Sequence, residues 1–204
     1  GLGNNNGSCW TFVVISIGSG GGSSDGGAGS GDSGGGGGGQ GDGGLNILST
    51  SWISPTSVVN DGSVGSFAWQ NPTNVFSSNN VESAATNSGT SNYLKAYNFG
   101  FTIPDNSIIL GVHIGVERRR APGLTNTLDN IVRLLVDDAI VGNNKKSLLQ
   151  WSNATDDIFL YGSSADTWGL VLTPSQVNGN NFGIVISATN TFIDYAPGAY
   201  IDHI

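Results

Sequence analysis

The chain is poor in histidine, sulfur and charge, and each shortage excludes a class of function. Among 204 residues there are two histidines, one cysteine and no methionine, and 11% of the residues are charged. Two histidines offer almost no material for a Ser/His/Asp triad or for a metal site of the His/Cys type. A single cysteine excludes a disulfide within the chain. We therefore expect a protein that is not an enzyme and has no catalytic residue, metal or cofactor.

Basic residues are also scarce, and long apolar runs are absent. Seven Lys and Arg against fifteen Asp and Glu give a formal net charge of -8. Nucleic-acid binding relies on basic surfaces that release counterions from phosphates, so nucleic acid is not an expected partner. The best apolar run, residues 12–17, is far shorter than the roughly 20 residues needed to cross a bilayer, and we expect no membrane insertion.

Glycine is in large excess in the first part of the chain. Twenty of the 33 glycines lie in residues 1–44, and residues 18–44 consist almost wholly of Gly, Ser and Asp. Ordering each residue costs about 1–2 kcal/mol, and a segment without apolar side chains can offset this only by backbone hydrogen bonding. We expect residues 18–44 to be extended and hydrogen-bonded to other chains or to the rest of the subunit. A larger side chain at Gly36 would disrupt that assembly.

An apolar strand precedes the glycine-rich segment. Residues 10–17 are rich in β-branched and aromatic residues, apolar on both faces, and predict a strand that needs cover from both sides. Such a strand can be added to the edge of a neighbouring subunit's sheet. The expected assembly contacts in this strand are Trp10, Phe12, Val14 and Ile15.

Residues 45–204 predict a single all-β domain that follows the assembly segment of residues 1–44. Residues 108–116 alternate, with Leu110, Val112 and Ile114 on the face expected to be buried. The same alternation in later strands adds four expected core residues: Leu134, Val136, Ile184 and Ile186. Further strands are predicted over residues 130–136, 158–161, 168–172, 182–188 and 199–204. Short strands at regular spacing predict an antiparallel two-sheet sandwich, a jelly roll.

Two turns are predicted between these strands. Asp137 and Asp138 separate two apolar runs and suit a tight hairpin. Residues 177–181, with the sequence VNGNN, suit a turn that requires a positive φ.

Three residues of the domain are candidate ligand or interface contacts: His113, Arg119 and Trp168. His113, between two glycines, fits either a ligand contact in a shallow groove or a strand residue stacked on a neighbouring aromatic ring, and the second interpretation is favoured. Arg119 belongs to a basic run that fits an anion patch or, preferably, carboxylate partners such as Asp129, Asp137 or Asp138. Trp168 fits a sugar-stacking platform, a subunit interface or the core.

Turn and core motifs are spread over residues 65–204. They are WQNPTN (69–74), YLKAYNFGFTIP (93–104), ILGV (109–112), YG (161–162), DTWG (166–169), VN (177–178) and NFG (181–183). Together they resemble β-sandwich modules of bacteriophage tail-fibre or virion proteins and of bacterial surface structural proteins. The glycine-rich head is similar to the glycine-rich domains of phage tail fibres. The resemblance implies a structural role.

We therefore expect a non-enzymatic structural subunit of an extracellular or virion-associated fibre, spike or filament. Its partner is itself, in a homo-oligomer or filament, and its location is extracellular, on a cell surface or on a virion. The alternative is a carbohydrate-binding adhesin or receptor-binding module whose loops contact a cell-surface glycan through aromatic and Asn/Asp side chains.

Overall fold

The computed structural model describes residues 46–85, 87–122, 126–153, 155–191 and 198–204, and the backbone of residues 11–17. Trp10, Gly36 and the predicted hydrogen-bonded structure of residues 18–44 lie outside the described residues. The described strands are β1 (Thr11–Ile17), β2 (Asn46–Ser49), β3 (Ser57–Asp61), β4 (Ser83–Ala85), β5 (Gly89–Thr90), β6 (Tyr93–Tyr97), β7 (Ser107–Arg120), β8 (Asn126–Val136), β9 (Ala139–Val141), β10 (Asp157–Gly162), β11 (Gly183–Thr191) and β12 (Ala199–His203). A 3-10 helix spans Pro72–Val75, and a short α-helix, α1, spans Pro174–Asn178.

The strands form two six-stranded sheets, and every pair of neighbouring strands described is antiparallel. Sheet A has the order β2-β1-β7-β12-β4, with β10 also paired to β7. Sheet B has the order β3-β6-β11-β8-β9, with β5 also paired to β11. The predicted all-β two-sheet sandwich is confirmed.

Eight of the strands have jelly-roll connectivity. In sheet A their order is β4-β12-β7-β10, and in sheet B it is β6-β11-β8-β9. Along these eight strands the chain crosses from one sheet to the other at every connection except the β8–β9 hairpin, which stays within sheet B. This is the double Greek-key pattern of a jelly roll. Strand β1 belongs to the predicted assembly segment, residues 1–44, and it extends sheet A.

The core lies between the sheets. Val112 and Ile114 of β7 face Leu134, Ile184 and Ile186 of sheet B, and all five are buried. These five were predicted core residues. Burying an aliphatic side chain of this size contributes about 1.5–3 kcal/mol, so this layer is a main source of stability.

The predicted alternation in β7 is wrong at its start because of a β-bulge. The register between β1 and β7 shifts, and Leu110 has no partner in β1. An extra residue reverses the side-chain alternation on one side of the bulge. As a result Ile109 is 5% exposed and joins the core, Ile108 is 58% exposed, and Leu110 is only partly buried.

One predicted turn is confirmed, and the other is correct as a turn but not in its backbone conformation. Asp137 and Asp138 join β8 to β9 with φ of 51° and 66°, as a two-residue hairpin with two left-handed residues requires. Residues 177–181 contain the end of α1 followed by a turn, in which the N–H of Phe182 donates to the carbonyl of Gly179 at 3.0 Å. The positive φ predicted there is wrong, because Gly179 has a φ of -66° and none of residues 177–181 has a positive φ. The helix forms because the Thr173 side chain and Gln176 make a reciprocal capping box, with a proline in the first turn. The strand predicted over residues 168–172 is also absent.

Candidate functional site

Strand β7 pairs with three strands, and the residues that they share as partners show which edge of β7 each one occupies. At Glu117 and Arg118, β7 pairs with both β10 and β12, so these two strands lie on opposite edges. At His113 and Ile114, β7 pairs with both β1 and β10. Strands β1 and β12 therefore lie on the same edge of β7, one after the other, and both run antiparallel to it.

Strand β1 covers the first half of that edge. Each of its seven residues has a partner in β7, and its other edge pairs with β2 over residues 14–17. In this structure the ladder forms within a single chain. Three of the predicted assembly residues belong to it: Phe12, Val14 and Ile15.

His113 contacts an aromatic ring. Its ring centroid lies 5.6 Å from that of Trp52, with the two rings inclined at 47°. Burial lowers the pKa of His113, so its imidazole is neutral at pH 7. This geometry agrees with the favoured interpretation, a strand residue packed on an aromatic neighbour.

Trp168 belongs to the core. It is completely buried, has a φ of 60°, and its Nε1 donates a hydrogen bond of 2.9 Å to the carbonyl of Val112. A buried indole with its N–H satisfied has no face left for a sugar. Of the interpretations that the sequence left open for Trp168, the structure selects the core.

Arg119 lies at the centre of a polar cluster on the outer face of sheet A. Its Nε and Nη2 donate to the two carboxylate oxygens of Glu82 at 2.5 and 2.7 Å, and its Nε lies 3.0 Å from Oδ1 of Asp156. Its guanidinium carbon is 4.3 Å from the centre of the Tyr200 ring. The preference for carboxylate partners is therefore correct for Arg119, although Glu82 and Asp156 were not the carboxylates named.

Carboxylates crowd this cluster. Burial raises the pKa of Asp156 to about 6, helped by the nearby Glu82 and opposed by Arg119. Burial also raises the pKa of Glu117. A fourth carboxylate, Asp202, accepts hydrogen bonds of 3.0 Å from the backbone N–H groups of residues 79, 80 and 81 and so holds this loop against the sheet.

A second polar centre is enclosed between the sheets. Nη1 of Arg118 lies 3.4 Å from Oδ1 of Asp129, and both side chains are almost fully buried. Asp129 accepts hydrogen bonds from Nε1 of Trp151 at 2.8 Å, from the hydroxyl of Tyr161 at 2.9 Å and from the N–H of Ser147 at 2.8 Å. Burial is the main cause that raises the pKa of Tyr161, and the negative charge of Asp129 raises it further. The Tyr161 hydroxyl therefore stays protonated and donates a hydrogen bond to the carboxylate.

Aromatic rings surround the guanidinium of Arg118. Its central carbon lies 4.2 Å from the centre of the Phe159 ring, 4.6 Å from that of Trp151 and 5.7 Å from that of Tyr161. Such contacts are worth about 2 kcal/mol when desolvated. Among the described residues, however, Nε and Nη1 of Arg118 have no hydrogen-bond partner.

A cavity of about 310 Å³ lies beside this centre. Arg118, Trp151 and Phe159 form its inner wall, and its rim consists of Leu149, Gln150, Ser152 and Asp157. The three rim residues at 149, 150 and 157 are exposed, so the cavity is accessible from solvent.

Sequence reasoning found part of this centre. Asp129 was named as a partner for the arginine run, and it does pair with an arginine, Arg118. Asp137 and Asp138, named with it, instead accept hydrogen bonds from the side chains of Gln176 and Asn181. The cavity and its residues, Arg118 and Trp151 above all, were not predicted, because no local pattern marks residues that approach from separate strands and loops.

The described ranges contain neither a metal-binding cluster nor a membrane-spanning helix. No group of three or more His, Cys, Asp or Glu side chains there is arranged to hold a metal ion. No helix in those ranges has the length and hydrophobicity of a membrane span. Comparison with protein-family models, with curated proteins and with solved structures gives no significant match to this chain.

Proposed function

We propose that the protein is a structural subunit that assembles with copies of itself by exchanging strand β1, in an extracellular or virion-associated fibre, spike or filament. The observation that carries the proposal is the position of β1. It completes an edge of a jelly roll and pairs with β2 on its other side, but the chain connects it to β2 through a long glycine-rich segment, residues 18–45. A strand attached in this way can complete the same edge on a neighbour.

The edge of β7 requires a strand. Without β1, residues 107–114 of β7 would present unpaired N–H and C=O groups at that edge. The β1 of any copy restores the same ladder, because the register is a property of the two sequences. The exchange therefore changes which subunit supplies the strand and leaves the pairing unchanged, as in domain swapping.

The connection is long enough to reach a neighbour. Residues 18–45 span at most about 90–100 Å when fully extended, at roughly 3.3–3.6 Å per residue. A jelly-roll domain of this size has a radius of gyration of roughly 15 Å. The connection therefore allows β1 to lie on its own subunit or on an adjacent one.

Two exposed isoleucines lie beside β1 on one face of sheet A. Ile47 of β2 and Ile108 of β7 lie on either side of Ser16 in the ladder and are both more than half exposed. Leu48 of β2 is also exposed, on the opposite face of the sheet. Adjacent exposed apolar side chains such as Ile47 and Ile108 favour contact with another molecule, which supports the proposal of an assembling subunit.

Thiol crosslinking across the ladder tests the proposal. In a Cys9→Ser background, one protein carries Ser16→Cys and another Ile108→Cys, which are partners in the register of β1 and β7. After unfolding and refolding of the mixture, a short bifunctional thiol reagent should produce a covalent heterodimer, seen on a denaturing gel. Such a product requires that β1 of one chain lies on β7 of the other.

The matched control pairs Ser16→Cys with Leu160→Cys, an exposed residue of β10 on the opposite edge of β7. That mixture should give no heterodimer. The proposal fails if the Ser16→Cys and Ile108→Cys mixture stays monomeric while a single chain with both cysteines crosslinks internally. Mass photometry of the unmodified protein should independently show oligomers.

A further inference from the structure

We propose that the polar cluster on the outer face of sheet A is a pH-sensitive latch. A proton on Asp156 holds residues 152–156 against the sheet, and loss of that proton lets this segment detach. The inference goes beyond the proposed assembly, because it concerns a conformational change within one subunit.

The first argument is a shortage of hydrogen-bond donors. Both carboxylate oxygens of Glu82 accept from Arg119, through Nε and Nη2, at 2.5 and 2.7 Å. Oδ1 of Asp156 lies 3.0 Å from the same Nε, which carries a single hydrogen, and it is buried without a hydrogen-bond partner among the described residues. An ionised Asp156 therefore places a charge on a buried oxygen that has no donor, which is costly. A protonated Asp156 instead can form a hydrogen bond with Glu82.

The second argument is the excess of negative charge. Asp156 faces Glu82 from the loop before β4, Glu117 and Arg119 from β7, and Asp202 from β12. Four carboxylates thus share one arginine. Glu117 is 8% exposed, and its Oε2 has no hydrogen-bond partner in the described part of the chain. A proton on Asp156 removes one of these repelling charges.

Two further titratable groups face the cluster from β12. Tyr200 packs on the guanidinium of Arg119, and burial raises its pKa, so its hydroxyl is neutral. His203 is the partner of Glu117 in the ladder, and burial lowers its pKa, so it is neutral at pH 7. Neither supplies a positive charge there. Burial and the charge of Glu82 raise the pKa of Asp156 to about 6, so the latch closes in mild acid and opens near neutrality.

The two segments that meet at the cluster are fastened unequally. Asp202 accepts three hydrogen bonds from the backbone of residues 79–81, so this loop stays on the sheet whether or not Asp156 is protonated. Among the described contacts, the other segment is held by the Asp156 side chain and by a 2.7 Å hydrogen bond from the N–H of Arg120 to the carbonyl of Ser152. Ionisation of Asp156 therefore releases residues 152–156 first.

Hydrogen exchange at the amide of Arg120 tests the latch, because this N–H is bonded to Ser152. Its exchange rate is measured by nuclear magnetic resonance at pH 5 and pH 7 in the wild type and in Asp156→Asn, whose amide is neutral at both and can donate to Glu82. Comparison at the same pH cancels the intrinsic pH dependence of exchange. The ratio of the wild-type rate to the variant rate should rise about tenfold from pH 5 to pH 7, as a pKa of about 6 in the closed state and 3.8 in the open state requires.

Asp157→Asn is the matched control. Asp157 is the next residue, is exposed, and is not among the groups that shift the pKa of Asp156. The ratio of the wild-type rate to the rate of this variant should be the same at both pH values. The opening should also be local: the Arg120 amide should exchange at least about tenfold faster than the amides of β11, which lies in the middle of sheet B.

Three results would overturn the inference: a ratio for Asp156→Asn that does not change with pH, an equal change for Asp157→Asn, or exchange at Arg120 as slow as in β11, which would mean that the segment opens only when the domain unfolds. None of them bears on assembly, because the cluster surrounds residues 117–119 of β7 and β1 pairs with residues 107–114. Crosslinking through β1 and opening of the latch can therefore succeed or fail separately.

Discussion

The buried pair of Arg118 and Asp129 allows a quantitative prediction about stability. Asp129→Asn removes the carboxylate charge and leaves the guanidinium of Arg118 buried without a counter-ion. Breaking a buried ion pair in this way costs about 3–5 kcal/mol. The total stability of a domain is about 5–15 kcal/mol, so a large part of it should be lost.

The reciprocal change, Arg118→Met, should cost less. Asp129 would keep its three hydrogen bonds, from Trp151, Tyr161 and Ser147, and hydrogen bonds to a charged group contribute about 1.5–3 kcal/mol each. We therefore expect a loss of about 2–3 kcal/mol, a size typical of damaging core substitutions.

The double variant separates the ion pair from other effects. Arg118→Met with Asp129→Asn leaves no buried charge, so its cost should be about 2 kcal/mol smaller than the sum of the two single costs, within the range measured for neighbouring residues. Urea unfolding at pH 7, followed by tryptophan fluorescence and circular dichroism, gives the three free energies. Costs that add to within about 0.5 kcal/mol would show that the two residues are not coupled and would refute the reasoning.

Two further variants test the outer cluster and the packing of sheet B. The pKa of Asp156 is raised to about 6, so the folded state binds this proton more tightly than the unfolded state does. Protonation of Asp156 therefore increases the free energy of unfolding as the pH falls through 6, and the increase is complete below about 3.8. Burial lowers the pKa of His113 and His203, which changes stability with pH in the opposite direction, so the test compares Asp156→Asn with wild type. Asp156→Asn should be more stable than wild type at pH 7.5, and this difference should shrink as the pH falls and disappear below about 3.8. A difference in stability that stays constant with pH would contradict this. Gly183→Ala should cost at least about 1–3 kcal/mol in thermal unfolding, since its Cβ would lie 2.1 Å from the backbone oxygen of Ala96, whereas Gly62→Ala, with ordinary contacts, should be neutral.

Local periodicity predicted six of the twelve described strands, because alternation and turn residues are carried by neighbours in sequence. It missed the short strands β2 to β6. The strands around Ile114, Leu134 and Ile184 were found in this way, as was the hairpin at Asp137. Errors arose where a single residue changed the geometry. The bulge at Leu110 depends on pairing with β1, which no pattern within β7 reveals.

The polar centres show a different limit. Arg119 was a candidate from its sequence, but its partners Glu82 and Asp156 come from loops beside other strands. Trp168 has a left-handed backbone and its side chain fills the core, a conformation unusual for a bulky residue and set by its surroundings. Side-chain partners that are far apart in the sequence are brought together by the topology of the sandwich, and local patterns in the sequence do not reveal them.

The arrangement of β12 and β1 on one edge of β7 has a consequence for chain connectivity. β12 ends with His203 opposite Glu117, and β1 begins with Thr11 opposite Ile114, in the same direction. Three strand positions, roughly 10 Å, separate these two partners in β7. A circularly permuted chain in which Ile204 leads through one or two residues into Thr11 would therefore make β12 and β1 a single continuous strand. Its new termini could be opened within residues 18–45, and β1 would then be fixed to its own subunit.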